Sequence, residues 1–73
     1  MKTYLVLFFS SDGASIRDVV AKPQGLGFKI VVGAHDLVYE WSNEPSEQDI
    51  LDLGDKVKDA LKGCNVMFKL ETV

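Results

Sequence analysis

Two adjacent residues of this chain, His35 and Asp36, are of types that could carry chemistry together. A histidine beside a carboxylate can move protons or supply part of a metal site. The 73 residues hold one histidine, one cysteine (Cys64) and one arginine (Arg17), so the site has no second histidine, and the sequence offers no Ser-His-Asp or Cys-His array with an orienting group. Neighbours on a strand also point to opposite faces. We therefore expect no enzyme, no metal and no cofactor, and interpret the pair as a turn or as part of a small-ligand pocket.

Three further features could bind a ligand or react, and each has a simpler explanation. The loop Ser10–Ser15 precedes a predicted helix, whose free N–H groups could hold an anion, but Asp12 would repel one. The Gly25–Gly27 segment leads into a strand rather than a helix, unlike a dinucleotide-binding loop. Cys64 has no partner for an internal disulfide, so we interpret it as a small residue at a helix-to-strand junction, which fits a reducing cytoplasm.

Composition narrows the class of partner. The net charge is −3 and the lysines are scattered, which disfavours binding to nucleic acid or to an anionic membrane surface. The longest apolar run, Tyr4–Phe9, is far shorter than the roughly 20 residues that cross a bilayer. Ser-Ser-Asp-Gly follows this run instead of a cleavage site, so we expect no signal peptide. We expect one cytoplasmic domain spanning residues 1–73.

Four segments have the composition of strands, namely Lys2–Ser10, Phe28–Val32, Leu37–Trp41 and Val66–Val73. The first is apolar at consecutive positions, which is typical of a central strand. The second and third are too close in sequence for a helical crossover, so they must form an antiparallel hairpin.

Two helices separate these strands. Ser15, with Asp18 three residues later, predicts the start of the first helix, and Pro23 predicts its end at about Lys22. The second helix is predicted from Ser46, which forms a capping box with Asp49. Gly63 closes it.

The resulting order β-α-β-β-α-β predicts an α+β fold of the ferredoxin-like type. Right-handed connections then give a four-stranded antiparallel sheet of order 4-1-3-2 with both helices on one face. Strand parity assigns these residues to the helix side: Phe28, Ile30, Val32, Leu37, Tyr39, Trp41, Val66, Phe68 and Leu70.

The opposite, open face of the sheet carries Lys29, Val31, Val38, Glu40, Met67, Lys69 and Glu71, together with three apolar residues of the first strand. An uncovered apolar stripe of this kind marks an interaction surface. We therefore predict a homo-oligomer, a dimer or larger, with an interface that includes Val31, Val38, Glu40 and Met67. In the alternative, the aliphatic stems of lysines cover the stripe.

The hairpin segment Gly33–Trp41, where Gly33, His35 and Asp36 lead into an alternating strand, resembles the RAM domain. This ACT-like domain binds effectors in transcription regulators of the Lrp/AsnC type. His35 stands where that family has Tyr or Phe, and the 73 residues hold no helix-turn-helix, so regulation would require a partner. The resemblance implies a dimer or ring of dimers that binds an amino-acid-type metabolite between subunits. Gly33 would then allow close approach, and Asp36 would accept a hydrogen bond.

Two functional hypotheses remain open from the sequence. The first is a stand-alone ACT/RAM-like module with a metabolite site at Gly33, His35 and Asp36. The second is a protein-interaction module that uses the apolar open face, with neither ligand nor catalysis. In a purely structural interpretation, Gly33 supplies the backbone conformation of a turn and Asp36 caps it.

Overall fold

The computed structural model describes residues 1–33 and 35–73, and within them the chain forms four strands and two helices. Their bounds are β1 Lys2–Phe8, α1 Ile16–Gly25, β2 Lys29–Ile30, β3 Leu37–Glu40, α2 Glu47–Leu61 and β4 Met67–Thr72. Ala34, which belongs to the predicted hairpin connection, lies outside the described residues.

The strands form one antiparallel sheet in the order β2-β3-β1-β4, as predicted. In the centre of the sheet, Leu5 of β1 lies opposite Leu37 of β3 on one side and Leu70 of β4 on the other. The α+β class and the strand order are therefore confirmed, and the arrangement is consistent with a βαββαβ plait.

The hydrophobic core lies on one face of the sheet. Leu5 and Leu7 of β1 are buried there, whereas the alternating residues Tyr4 and Val6 are only half-buried. The core cluster combines these strand residues with Val19 of α1 and with Leu53, Val57 and Leu61 of α2. Because both helices contribute to this cluster, both lie on the same face of the sheet, as predicted.

A hydrogen-bonded polar group lies within this core. Thr3 is almost completely buried, and its hydroxyl accepts a 2.8 Å hydrogen bond from the Trp41 indole nitrogen. The Thr3 and Thr72 hydroxyl oxygens are also 2.8 Å apart. A buried hydroxyl without partners would be costly, so this network allows Thr3 to occupy a core position.

Both predicted helix starts are confirmed. Ser15 Oγ accepts a hydrogen bond from the Asp18 backbone N–H, and Ser46 and Asp49 form a reciprocal capping box. These contacts satisfy N–H groups that have no partner within the helix. Among the described residues, neither helix is long and apolar enough to cross a membrane.

The predicted end of α1 at Lys22 is wrong, because the helix continues through Pro23 to Gly25. Pro23 lies in the last turn of the helix, so the one helical hydrogen bond that its missing N–H removes disturbs only the helix end. Its ring is buried, and its carbonyl accepts hydrogen bonds from the N–H groups of Leu26 and Phe28. These contacts hold the proline inside the helix end.

Strand β2 differs from the prediction too, because it is shorter than the predicted segment Phe28–Val32. Phe28 is buried as predicted, but Ile30 is 61% exposed and Val32 is fully exposed, which corrects their expected packing against the helices. The chain turns early because the Val31 N–H donates to the Asp36 carbonyl at 3.1 Å, which closes the hairpin. The remaining strands are one or two residues shorter than predicted at their ends.

Candidate ligand groove on the open sheet face

Asp36 connects the hairpin to the central strand β1. Its backbone N–H donates to the Leu5 carbonyl at 3.0 Å, and its carboxylate Oδ2 accepts from the Leu7 N–H at 2.7 Å. Because β3 begins only at Leu37, the carboxylate takes the place of the backbone acceptor that a longer strand would provide. The Asp36 side chain thus holds β1 and the hairpin together.

Gly33 supplies the backbone conformation that the hairpin requires. Its φ is 136°, a value that residues with a side chain rarely adopt. A β-carbon at this position would have no described atom within 4 Å, so conformation rather than space favours glycine here. This agrees with the structural interpretation of the position.

His35 folds over the open face of the sheet. Its ring stacks on Tyr4, with ring centroids 4.5 Å apart and planes inclined by 29°. Its Nε2 lies 3.5 Å from Glu71 Oε2. His35 and Asp36 therefore serve different contacts, and the structure does not combine them into one acid–base pair.

A shallow groove of about 520 Å³ adjoins His35 on the open face; we call it the His35 groove. Its lining residues are Tyr4, Val31, Val32, His35, Glu71 and Val73. It combines apolar walls with a phenol, an imidazole and a carboxylate, a mixture that suits a small molecule with both polar and apolar parts. The predicted residues Val31 and His35 line the groove, whereas Gly33 and Asp36 lie in the loop beside it.

Sequence reasoning missed the contributions of Tyr4 and Glu71 to this groove. They belong to β1 and β4, far from the hairpin in sequence, but they lie directly opposite each other in the sheet. Glu71 was assigned to the open face by parity, which was the available signal. The folding of His35 back over Tyr4 left no pattern in the sequence.

The predicted interface residues have different environments. Val38 is only 7% exposed in the single chain, so it has little area left to bury. Glu40 lies 3.7 Å from Lys2 and 3.8 Å from Lys29, which engages it within its own chain. Met67, by contrast, is 74% exposed opposite Phe8, itself 54% exposed. Met67 is therefore the predicted interface residue with the most apolar area left to bury.

Comparison with protein-family models, curated proteins and solved structures finds no match to this chain.

The other sequence candidates have structural roles. Cys64 is buried in the core, and its carbonyl accepts from the Ala14 N–H at 3.2 Å. In the Ser10–Ser15 loop, the Gly13 N–H donates to the Ser10 carbonyl. The Asp12 N–H also donates to Ser10 Oγ at 3.3 Å, so three N–H groups of this loop are used within the chain, which weakens the case for an anion site. Tyr39 and Trp41 pack against the core, as expected.

Proposed function

We propose that this chain is a self-associating binding module that holds an amino-acid-type metabolite in the His35 groove, without catalysis. The observation that supports it most directly is the placement of Glu71 and His35, 3.5 Å apart, beside apolar walls. A free amino acid carries an ammonium group, a carboxylate and, in many cases, an apolar side chain. The groove offers a partner for each.

The recognition chemistry follows from these groups. Glu71 accepts hydrogen bonds from the ammonium group, while Tyr4 and His35 donate to the carboxylate. The side chain of the metabolite packs against Val31 and Val32, which line the same groove. In this arrangement Gly33 and Asp36 shape the hairpin, so Asp36 acts as a positioning residue through its bond to Leu7.

The openness of the groove favours a site between subunits. Ligand sites usually bury most of the ligand surface, and a shallow groove on one small domain does not. A second subunit over the groove would exclude water and strengthen the polar contacts. A small core also gains stability when a partner covers its remaining apolar face.

The test is titration of the individual proteinogenic amino acids, followed by NMR shifts of backbone amides and by thermal stability. We expect saturable shifts centred on Tyr4, His35 and Glu71 for a subset of amino acids. Glu71→Gln should weaken that binding by about tenfold or more, because a charge-assisted hydrogen bond is lost. Glu47→Gln, an exposed carboxylate in the first turn of α2, is the matched control and should bind as the wild type does. Absence of saturable binding up to the solubility limits would contradict the proposal.

One observation favours the second candidate function, a protein-interaction module. Phe8 and Met67 are exposed next to each other at the end of the open face, away from the His35 groove. A complex with a purified partner would support it under three conditions. Amino acids should leave the complex unchanged, Met67→Lys should disrupt it, and Glu71→Gln should preserve it. Dependence of the same complex on a bound amino acid would support the metabolite module instead.

A further inference from the structure

The two edges of the sheet differ greatly in length. Strand β2 presents two residues, Lys29–Ile30, whereas β4 presents six, Met67–Thr72, in continuous register with β1. Among the described residues, no other strand pairs with the outer edge of β4. A regular edge strand of this length is a template for pairing with another strand, and proteins usually shorten or cover such edges.

The hydrogen bonds to β1 show which backbone groups of β4 point outward. Lys2 and Val73 exchange both of their backbone hydrogen bonds, at 3.0 and 2.9 Å. In an antiparallel ladder such pairs alternate, so Lys69 and Glu71 also direct their backbone groups towards β1. The N–H and C=O groups of the intervening residues, Phe68, Leu70 and Thr72, therefore point to the free edge.

We propose that a second copy of this chain pairs antiparallel with β4 along this edge, with Leu70 on the two-fold axis. Leu70 then exchanges both backbone hydrogen bonds with Leu70 of the partner subunit, and Phe68 does so with Thr72 of the partner subunit. The result is one continuous sheet in which the helices of both copies lie on the same side. A two-fold interface of this kind uses the same surface of both copies.

The side chains of the open face select this register. Lys69 lies opposite Glu71 of the partner subunit, and the symmetry repeats the pair. Met67 lies opposite Val73 of the partner subunit, and these two residues are 74% and 62% exposed in the single chain. Opposite charges and apolar pairs directly across two strands stabilise the pairing.

Neighbouring registers are less favourable. A shift by two residues in one direction places Lys69 opposite Lys69 of the partner subunit. A shift by two residues in the other direction places Glu71 opposite Glu71 of the partner subunit. Like charges directly opposite are destabilising. A shift by one residue sets outward-pointing backbone groups against groups that already bind β1, so the ladder cannot form.

Helix α2 lies over the same edge of the sheet and adds an exposed apolar residue there. It passes over Leu70 at Gly54, where a β-carbon would lie 3.7 Å from Leu70 Cδ1. Leu51, three residues before Gly54 and thus on the same side of the helix, is 63% exposed. In the paired sheet Leu51 lies near the two-fold axis, where the partner subunit covers it.

This pairing depends neither on a bound metabolite nor on the proposed function. It brings Lys69 of the partner subunit next to Glu71, at the border of the His35 groove, where Lys69 would share the Glu71 carboxylate with the ammonium group of a bound amino acid.

Variants that exchange the charges of Lys69 and Glu71 test the inference. Their mass is measured by size-exclusion chromatography with light scattering over a range of concentrations. We expect the wild type to have twice the 8.1 kDa chain mass, or a higher even multiple. Lys69→Glu and Glu71→Lys alone each set like charges opposite each other twice, and should weaken the dimer by about tenfold or more. The double variant exchanges the charges and should restore the wild-type dissociation constant. Lys56→Glu, an exposed α2 residue with the same charge change, is the control and should leave the dissociation constant unchanged.

A second pair of variants tests the backbone ladder. Thr72→Pro removes an outward N–H that β1 does not use, and should weaken the dimer. Thr72→Val keeps this N–H and, like the proline variant, loses the hydroxyl that lies 2.8 Å from the Thr3 hydroxyl, so both variants share any loss of stability, but the valine variant should dimerise as the wild type does. Circular dichroism would verify that each variant is folded.

The inference is overturned by a wild type that is monomeric at all concentrations. It is also overturned by a dimer that withstands Lys69→Glu, or by single and double charge variants that are equally weak. Amino-acid titrations give a separate readout. A dimer rescued by charge exchange but without metabolite binding would remove the proposed function and leave the edge pairing intact. Metabolite binding by a wild type that is monomeric at all concentrations would remove the edge pairing and leave the metabolite site intact.

Discussion

Replacement of Asp36 by alanine tests whether this carboxylate stabilises the fold itself. In the wild type, Oδ2 accepts a 2.7 Å hydrogen bond from the Leu7 N–H at the centre of the sheet. The alanine variant leaves that N–H without its acceptor. A hydrogen bond to a charged group contributes about 1.5–3 kcal/mol, and an unsatisfied buried donor costs a similar amount. We therefore expect the free energy of unfolding to fall by about 2 kcal/mol.

Two variants separate the contributions. Asp36→Asn keeps an acceptor oxygen but removes the charge, so it should cost about half as much, roughly 1 kcal/mol. Asp12→Ala removes a carboxylate from an exposed loop position and should change the stability by less than about 0.5 kcal/mol. In thermal terms, the alanine variant should melt about 8–16 °C lower, from the usual 4–8 °C per kcal/mol in domains of this size.

The assay is urea and thermal unfolding, followed by Trp41 fluorescence and circular dichroism, with no amino acid added. The order of stability should be wild type, Asp36→Asn, Asp36→Ala. An alanine variant within about 0.5 kcal/mol of the wild type would refute the reasoning. In that case Asp36 would be free to contact a ligand, as the resemblance to the RAM domain implies.

Two further predictions concern the buried polar network and one close backbone contact. Thr3→Val should lower the free energy of unfolding by about 1–3 kcal/mol, because the Trp41 indole N–H loses its 2.8 Å acceptor. Adding Trp41→Phe should cost less in that variant than in the wild type, as a double-mutant cycle by urea unfolding would show. Gly13→Ala should cost about 1–3 kcal/mol, since a β-carbon there would lie only 2.7 Å from the Cys64 carbonyl oxygen. Gly25→Ala, which has open space around it, should be neutral in the same assay; equal losses at both glycines would contradict the steric explanation.

The fold was largely predictable because several local signals agree. The capping box at Ser46 and Asp49 and the alternation of Val66–Val73 each indicate one type of element, and the order of elements then restricts the topology. The failure at Pro23 has a specific cause. A proline is a strong local signal against a helix, but a buried ring and a carbonyl with two hydrogen bonds outweigh it. Such tertiary contacts are not visible in a local pattern.

The site was less predictable than the fold. Strand parity placed Glu71 on the open face, but it could not show that the hairpin folds His35 onto Tyr4. Likewise, the sequence predicts Asp36 either as a ligand contact or as the cap of its own turn, whereas its carboxylate binds the Leu7 N–H on another strand. Both features depend on the path of a loop between two strands, which neither periodicity nor composition determines.

The structure also changes which residues should be substituted to test self-association. Parity alone would favour Val38→Lys, because Val38 lies on the open face. At 7% exposure, however, Val38 is covered by its own chain, so a lysine there would perturb folding before it perturbed association. The long Lys2 and Lys29 side chains meet at Glu40 at this end of the sheet, and His35 covers Tyr4. The uncovered apolar residues lie at the other end and along β4, so substitutions at Met67 and Lys69 test association while the core remains intact.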